Sequence, residues 1–397
     1  MRIKNLYIYL AVGLMAAFSS CEPATVDETV ETAYLPYPPM PEPPYKFERN
    51  GSSNVELFEC QLLNESIEYI YASRMKVAQM SDEENYKQVF ELYNEGRSGH
   101  SPKKAAAQSS LHVSDRMKVL EDIERWLNKS AEIAGRGKSD IFMWKNREAQ
   151  KGQTGFVGNS MGDKNAYFVD EKGIVVAEVF RYAMLGAVFL DKVLNFHLDE
   201  SFWENNGLKK KHEELELPKG KNYTELEHHW DLAYGYYGFW EPLAQGEGIP
   251  ALKGCDIELF RAFVRGRTAL KDYRYDEVSK EIRQIRMLLS KVIAVRAMNL
   301  LTGVNTQANL QLYPQYAFLS LSQAYGLIYA LQFARMPDGK PCFTYNEVRE
   351  ILDDFTSGGG LWEKERLLAG TDTKGSAMQI AARIGKVMNI SLKEIEK

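Results

Sequence analysis

The chain has 397 residues, of which 45% are hydrophobic and 26% are charged, and its formal net charge is −5. This composition excludes disordered, collagen-like and disulfide-scaffold proteins, and it predicts a globular chain of two or three domains or one large helical body. The slight excess of acidic residues argues against the broad basic surface that binding to nucleic acids or to anionic membranes requires. We therefore expect no nucleic-acid partner.

The first 21 residues have the pattern of a lipoprotein signal peptide. Two basic residues precede an apolar run from Leu6 to Phe18, and small residues lead directly to Cys21. Small residues before a cysteine are typical of the site at which a signal peptide is removed and the thiol takes up lipid. We predict residues 1–20 as signal peptide and Cys21 as the lipidated residue that anchors the chain in the outer membrane. A signal that is cleaved elsewhere, with an incidental cysteine, is the alternative.

Residues 21–46 are acidic and then proline-rich, and proline disfavours helix and central strand because it lacks the backbone donor. We predict that this segment is a tether. The acidic residues after Cys21 resemble the surface-export signals of Bacteroidota lipoproteins, and a solvated acidic tail explains them equally well. The side of the outer membrane, periplasmic or cell-surface, therefore stays open.

Three further cysteines, Cys60, Cys255 and Cys342, lack the CxxC and histidine spacing of a zinc site. An oxidising envelope permits one disulfide with one thiol left over, and three buried free thiols fit the sequence equally well. The sequence selects no bridge.

Apolar residues at three- and four-residue spacing predict a first helix over Val55–Val77, a second that opens with a capping box at Ser81, and a third over Val113–Ile133. Residues 151–166 are rich in Gly, Asn and Ser, which indicates a loop. An almost continuously apolar helix from about 173 to 198 follows, and we expect it to be the central rod of the first half. It carries four charged residues, among them Glu178, so it does not predict a membrane span.

The second half continues the helical pattern, and very few segments alternate with period two. Candidate helices lie at about 223–238, 256–273, 276–301, 315–334, 344–356 and 373–389. The predicted fold class is therefore all-α, a helical bundle over residues 47–397. Two apolar rods, 174–198 and 315–334, each lie late in a group of helices. This favours two stacked bundles, with halves at 47–200 and 220–397.

Residues 227–240, EHHWDLAYGYYGFW, combine two imidazoles, two carboxylates, three tyrosines and two tryptophans. On a helix His228 and Asp231 share a face, because residues three apart are neighbours. Imidazole and carboxylate suit iron or another divalent metal, but two ligands are too few, so Glu178 or His197 would complete the site. Neighbouring candidates for ligand binding are His229, Trp230 and Tyr234.

In the alternative interpretation, His228 shares a hydrogen bond with Asp231 and the aromatic residues pack as ordinary core. A basic cluster around Arg261 and Arg265, with Arg267 nearby, is a further candidate site. Guanidinium groups bind carboxylates or haem propionates bidentately. A solvated helix face paired with acidic neighbours is the alternative for these arginines.

Three segments carry a family resemblance: HHWDLAYGYYG, GRTALKDYRYDEVSKEIRQIRMLLSKVIAVRAMNLL, and SLSQAYGLIYALQFAR with the following FTYNEVREILDDFTSGGGLWE. In order and spacing, along most of residues 45–390, they resemble the Bacteroidota lipoproteins grouped as domain-of-unknown-function family 4856. The resemblance implies an envelope location and the extent of the domain. It implies no mechanism, because the role of that family is not established.

A more distant resemblance is to imelysin-like proteins, which are envelope lipoproteins of paired helical bundles associated with iron uptake. Their motif is Gly-x-His-x-x-Glu; here Leu226 replaces the glycine, His228 keeps its position, and Asp231 replaces the glutamate. The resemblance implies a metal role for His228 and Asp231, although the shorter carboxylate moves its oxygen by roughly a bond length.

Two function classes follow from the sequence. The first is a lipid-anchored envelope protein that binds iron, haem or another small nutrient. The second is a scaffold or interaction lipoprotein that partners an envelope transporter. The chain has no His-Glu-x-x-His motif, and we expect neither a nucleophile elbow nor catalytic residues.

Overall fold

The computed structural model describes residues 45–76, 83–109, 114–135, 148–157, 167–246 and 248–395. Within these ranges the chain consists of helices and two small antiparallel hairpins, namely β1 (Glu48–Arg49) with β2 (Ser52–Ser53) and β3 (Gly155–Val157) with β4 (Tyr167–Val169). The prediction of an all-α helical bundle is confirmed. The predicted signal peptide, Cys21, most of the tether and Ser81 lie outside the described residues.

The four longest helices of the first half form where the sequence predicts them, and three helices of four to six residues were not predicted. They are α1 (Phe58–Ile70), α2 (Glu83–Glu95), α3 (Pro102–Ala105), α4 (Arg116–Gly135), α5 (Val176–Met184), α6 (Glu200–Asn205) and α7 (Leu208–Glu213). Helix α1 continues as a π-helical turn at Tyr71–Met75, and α5 continues through π-helical turns at Leu185–Leu190 and Lys192–His197. Every residue from 176 to 195 is buried, as expected for the central rod.

The second half contains all six predicted helices. Its helices are α8 (Glu225–Tyr237), α9 (Glu241–Ala244), α10 (Cys255–Lys271), α11 (Tyr275–Thr302), α12 (Val304–Leu312), α13 (Pro314–Ala330), α14 (Tyr345–Phe355), α15 (Lys364–Leu367) and α16 (Ala377–Met388). Single 3₁₀ turns lie at Pro250–Leu252, Leu331–Phe333, Gly360–Trp362 and Leu392–Glu394. The sequence did not predict α12, because only Thr306 and Leu310 within it are buried and no apolar stripe forms.

Helices α5, α11 and α13 form the centre of the molecule. Helix α11 packs against α10, α13 and α16, and α5 packs against α13. The α5–α13 crossing is close because glycine stands on both sides of it. A Cβ at Gly326 would lie 2.5 Å from Cβ of Tyr182, and one at Gly186 would lie 2.5 Å from Cβ of Ala330. A side chain at either position would force the two helices apart.

The two predicted halves contribute to one hydrophobic core. The cluster of buried residues extends from Tyr45 to Ile395 and includes α5 of the first half and α13 of the second half. A division at 47–200 and 220–397 stays a prediction, as does an origin by duplication. The contact between α5 and α13 means that neither half buries its central helix without the other.

In the described part of the chain, the helical run Tyr275–Leu312 is long and apolar enough to cross a membrane by length and composition. Its most apolar window is 56% buried, and α11 packs against three other helices. A core helix has these same properties, so the run is weak evidence for a membrane span. The run was not singled out from the sequence, because the stretch Ile174–Leu198 is more apolar.

The three cysteines in the described residues are buried free thiols. This is one of the two arrangements that the sequence left open. Burial raises the pKa of Cys342 to about 11, which keeps the group protonated and unreactive at neutral pH.

Candidate functional site

Helix α8 contains the segment that the sequence singled out, and it lies almost entirely in the core. Thr224 begins the helix with a capping box. Its hydroxyl accepts a hydrogen bond from the backbone N–H of Glu227, and the Glu227 carboxylate accepts one from the backbone N–H of Thr224. His212 extends the cap, with Nδ1 at 2.7 Å from the Thr224 hydroxyl. Polar side chains of α8 form two clusters, one toward α10 and one toward the end of the central rod.

Asp231 lies at the centre of the first cluster, and its side chain is completely buried. One carboxylate oxygen accepts hydrogen bonds from the hydroxyl of Tyr45 at 2.6 Å and from Nε of Arg267 at 2.9 Å. Burial raises the pKa of Asp231 to about 6, and the charge of Arg267 opposes this rise by favouring the carboxylate. The pair therefore depends on both partners remaining charged.

Glu227 binds the other side of Arg267. Its Oε1 is 3.1 Å from Nη1 of Arg267, and Nη2 of Arg49 donates to both carboxylate oxygens at 2.9 and 3.0 Å. Burial raises the pKa of Glu227, but Arg267, the backbone N–H of Thr224 and Arg49 outweigh burial, so the pKa lies below its usual value. Two guanidinium groups and two carboxylates thus compensate one another within the protein.

The second cluster contains a pair of buried imidazoles. Nδ1 of His229 lies 3.0 Å from Nδ1 of His197, which allows one ring to donate and the other to accept. Burial lowers the pKa of both residues, to about 4 for His229 and well below its usual value for His197. Tyr236 stacks on His197 with ring centroids 5.5 Å apart. Both imidazoles are therefore neutral near pH 7, and Nε2 of His197 has no hydrogen-bond partner among the described residues.

Lys192 is a buried cation beside the imidazole pair. Its Nζ lies 3.8 Å from Oε1 of Glu59 and 4.9 Å from the ring centroid of Phe196. Glu59 also accepts a hydrogen bond of 2.8 Å from the hydroxyl of Tyr236. Burial lowers the pKa of Lys192, and Glu59 opposes this effect. These contacts join the start of α1 to the central rod and to α8.

His228 and Asp231 have different partners. The ring of His228 stacks on Tyr223 with centroids 4.4 Å apart, and its Nδ1 has no hydrogen-bond partner in the described part of the chain. The hydrogen bonds of Asp231 go to Tyr45 and Arg267, because the guanidinium supplies both a donor and a compensating charge. The predicted pairing of His228 with Asp231 is therefore not what organises α8.

Glu178, the third predicted metal ligand, belongs to a separate network. Its carboxylate accepts hydrogen bonds from the hydroxyl of Tyr71 and from Nε2 of Gln323. Within the described ranges, no group of three or more His, Cys, Asp or Glu side chains is arranged to hold a metal ion. Asp231 and Glu178 hydrogen-bond to different partners and His228 stacks on Tyr223, so the metal site of His228, Asp231 and Glu178 stays a prediction.

The two arginines predicted to hold an anion pair with carboxylates of the protein. Arg261 lies 2.7 Å from Glu258, and Arg265 lies 2.9 Å from Glu281 on the neighbouring helix α11. The pairing of Arg261 with Glu258 agrees with the alternative of a solvated helix face. The side chain of Arg265 instead ties α10 to α11.

The aromatic residues predicted to bind a ligand are buried. Nε1 of Trp230 donates to the backbone carbonyl of Phe263 at 3.0 Å, and Tyr234 stacks on Tyr45 with centroids 3.8 Å apart. His229, the third of these predicted residues, lies in the imidazole pair. Trp230 and Tyr234 therefore pack as core, as the alternative interpretation states.

Sequence reasoning missed the central role of Arg267, which it placed in the exposed basic cluster. A signal was present. Leu259, Phe263, Arg267 and Leu270 follow one another at three- and four-residue spacing, so Arg267 lies on the apolar face of α10. A charge on such a face requires a buried partner. Tyr45 was likewise assigned to the tether but is 2% exposed and belongs to the folded body.

The sequence contains Gly-x-Ser-x-Gly at residues 158–162, which the expectation of no nucleophile elbow overlooked. These five residues lie outside the described residues. The described elements on either side are β3 and β4, which pair as an antiparallel hairpin. A nucleophile elbow instead joins a strand to a helix, so the flanking structure does not match that motif.

The chain matches the family described as Domain of unknown function (DUF4856) over residues 42–391. It belongs to this family. The DUF4856 match includes Tyr45, α8, α10 and the central rod, so both polar clusters lie inside the family domain. No curated protein and no solved structure matches the chain. The description of the DUF4856 family states no activity, and a function has to be argued from the geometry.

Proposed function

We propose that this DUF4856 protein is a lipid-anchored lipoprotein of the outer membrane that acts by interaction with an envelope partner, such as a transporter, and not by catalysis. The observation that supports this proposal is that the charges of the first polar cluster are balanced within the protein. Asp231, Glu227, Arg267 and Arg49 compensate one another, and Tyr45 donates to Oδ1 of Asp231, whose Oδ2 has no hydrogen-bond partner among the described residues. Opening this cluster to a ligand would leave an uncompensated buried charge, which costs several kcal/mol.

The anchor in this proposal rests on the sequence before the described residues. Cys21 follows an apolar run and two serines, as in lipoprotein signals, and the acidic residues after it resemble those of Bacteroidota lipoproteins. In a cell with an outer membrane, Cys21→Ser is expected to abolish labelling by a fatty-acid analogue. It is also expected to move the protein to the soluble envelope fraction or to leave the precursor uncleaved. Labelling that survives the substitution would contradict the anchor.

The interaction in this proposal is tested by chemical crosslinking in intact outer membranes. The wild-type protein is expected to give a discrete adduct larger than the monomer, and Cys21→Ser is expected to lose it. A monomer as the sole product at every crosslinker length would contradict the interaction and favour the second candidate.

The second candidate is binding of iron, haem or another small nutrient. The observation that favours it is the buried imidazole pair, in which Nε2 of His197 has no hydrogen-bond partner within the described ranges; Nδ1 of the nearby His228 has none there either. The resemblance to imelysin-like proteins supports the same candidate through His228. Imidazole nitrogen is a ligand for iron, copper and zinc.

Calorimetric titration of the mature chain with ferrous, ferric and zinc ions and with haem separates the two candidates. The interaction proposal predicts no saturable heat. Saturable binding that is lost in both His197→Gln and His229→Gln would establish the imidazole pair as the ligand site and overturn the interaction proposal. Binding that survives both substitutions would show that the ligand binds outside the imidazole pair.

A further inference from the structure

Several large apolar side chains are exposed at one end of the molecule. We define the tether-side patch as Phe58, Leu215, Leu217 and Tyr273, whose exposed fractions are 60, 53, 39 and 42%. Leu215 and Tyr273 both adjoin His212. The backbone N–H of Leu215 donates to the carbonyl of His212 at 3.1 Å, and the rings of Tyr273 and His212 have centroids 5.1 Å apart.

The tether-side patch lies where the described chain begins. Nδ2 of Asn222 donates to backbone carbonyls of β1 and β2 at 2.9 and 3.1 Å, which fixes the segment after Leu217 to the first hairpin. Lys221 lies 2.7 Å from Glu56, two residues before Phe58. The chain that leads back to Cys21 therefore arrives at this end of the molecule.

Two residues of the patch hold an unfavourable backbone conformation. Leu215 has a φ of 52° and Tyr273 a φ of 59°, in the left-handed region that bulky residues avoid. Such a residue costs roughly 1–2 kcal/mol. Because about half of each side chain is exposed, packing inside the protein offsets only part of this cost. The patch is thus an apolar surface in which two residues hold a backbone conformation that bulky residues disfavour.

The charged groups around the patch are largely paired with one another. The pairs are Lys210 with Glu214, Lys211 with Glu225, Lys221 with Glu56, and Arg274 with Asp272. Paired charges of both signs give no strong field that would select a highly charged partner. Leucine, phenylalanine and tyrosine between lysine side chains match the apolar and headgroup layers at a membrane surface.

We infer that the tether-side patch rests on the lipid surface in which Cys21 is anchored, an inference that depends on the proposed anchor. Residues 21–44 can span at most about 85 Å, so the bilayer stays within reach of the patch. The anchor keeps the lipid surface at a high local concentration around the patch, so even a weakly binding apolar patch makes contact with it. A partner that diffuses freely does not have this advantage. The proximity of the chain entry selects this end over the other exposed apolar site, around Val304 and Leu312.

The other exposed apolar site lies beyond the far end of α11. Glu281 of α11 pairs with Arg265, two residues before Arg267 of the first polar cluster, whereas Thr302, the last residue of α11, follows Glu281 by 21 residues. At 1.5 Å per helical residue, Thr302 lies about 32 Å farther along α11, and α12 begins beyond it at Val304. The tether-side patch and α12 are therefore separate surfaces, and membrane contact can be assigned to either one by experiment.

The test couples the chain from residue 21 through the Cys21 thiol to maleimide lipids in phosphatidylcholine vesicles, because the other cysteines are buried. Hydrogen exchange is compared between coupled and uncoupled chains. We expect slower exchange on coupling for peptides that cover 206–224 and 272–275, and no change for 304–316. The double variant Leu215→Ser/Leu217→Ser should lose this protection, whereas the matched variant Val304→Ser/Leu312→Ser should keep it.

Equal exchange in coupled and uncoupled chains would overturn the inference. Protection at 304–316 instead would assign the membrane contact to α12. Slow exchange at 206–224 before coupling would show that another part of the chain or a second copy covers the patch. Because the coupling is chemical, these outcomes do not depend on lipidation in the cell, which the fatty-acid labelling of Cys21 tests separately.

Discussion

At the scale of single residues, Arg267 determines which contacts the two buried carboxylates of α8 make. A buried guanidinium between Asp231 and Glu227 keeps both carboxylates inside the protein and gives Tyr45 a place to bind. Such an arrangement is strongly interdependent, since removal of one partner leaves the others charged and desolvated. His228, three residues from Asp231, has no part in these contacts.

We predict that Asp231→Ala lowers the free energy of unfolding by about 3–5 kcal/mol, because it leaves Arg267 only partly compensated. The measurement is chemical denaturation of single and double variants. Asp231 and Arg267 should show a coupling energy of about 1–3 kcal/mol in a double-mutant cycle. The matched cycle of Asp231 with His228 should be additive within about 0.5 kcal/mol. A large coupling in the second cycle would restore the pairing that the spacing predicts.

The imidazole pair leads to a separate prediction about how the stability of the folded protein depends on pH. The pKa of His229 is lowered to about 4 in the folded protein, so the unfolded chain binds more protons as the pH falls from 7 toward 4. The folded protein therefore loses stability on acidification. Between pH 7.5 and 5, the wild type should lose about 2 kcal/mol more than His229→Asn, measured by urea denaturation at each pH.

Carboxyl groups with raised pKa values act in the opposite direction. Asp231 titrates at about 6 and Glu68 at about 7 in the folded state, and both bind protons there before the unfolded chain does. Their contribution to stability is present at low pH and is lost as the pH rises through these values. They are common to the wild type and to His229→Asn, so they cancel in the comparison. Parallel pH curves for the two proteins would mean that His229 is not buried as a neutral ring.

At the scale of single helices, two capping boxes permit a matched test. Thr224 caps α8 from a buried position and also contacts His212, whereas Thr344 caps α14 with the same geometry at an exposed position. Thr344→Ala should cost about 1 kcal/mol, the usual value for a lost cap. Thr224→Ala should cost about 2–3 kcal/mol in thermal unfolding, since it also leaves Nδ1 of the buried His212 without its partner. Equal costs would mean that His212 adds nothing to the cap.

The boundaries of most helices followed from apolar spacing, and the exceptions have physical causes. Helix α11 was predicted at 276–301 and spans Tyr275–Thr302, because its inward residues repeat without interruption. Helix α12 escaped prediction because it has almost no buried face. The π-helical turns of the central rod were not predicted either, since a widened helical turn leaves no signature in a continuously apolar stretch.

At the scale of the whole molecule, the shared core predicts that the two halves depend on each other. Chains that cover 45–200 and 220–395 should each lack a cooperative thermal transition, because α5 and α13 would expose the surfaces they bury against each other. The measurement is circular dichroism of each chain alone and of the two mixed. The full chain should unfold in one transition. Two independent transitions in the full chain would instead support stacked bundles that fold separately.

The sequence by itself determined the helical class, the positions of the main helices, the burial of the central rod and the membership in the DUF4856 family that its motifs implied. These properties depend on local periodicity and composition, which can be read from the sequence without any information about tertiary contacts. The partners of Asp231, the pairing of His197 with His229 and the separation of Glu178 from both were decided by tertiary structure. A carboxylate at a given position fits a metal site and an ion pair equally well. Which of the two forms depends on the side chain that a distant helix brings to it, and here α10 brings Arg267 to Asp231.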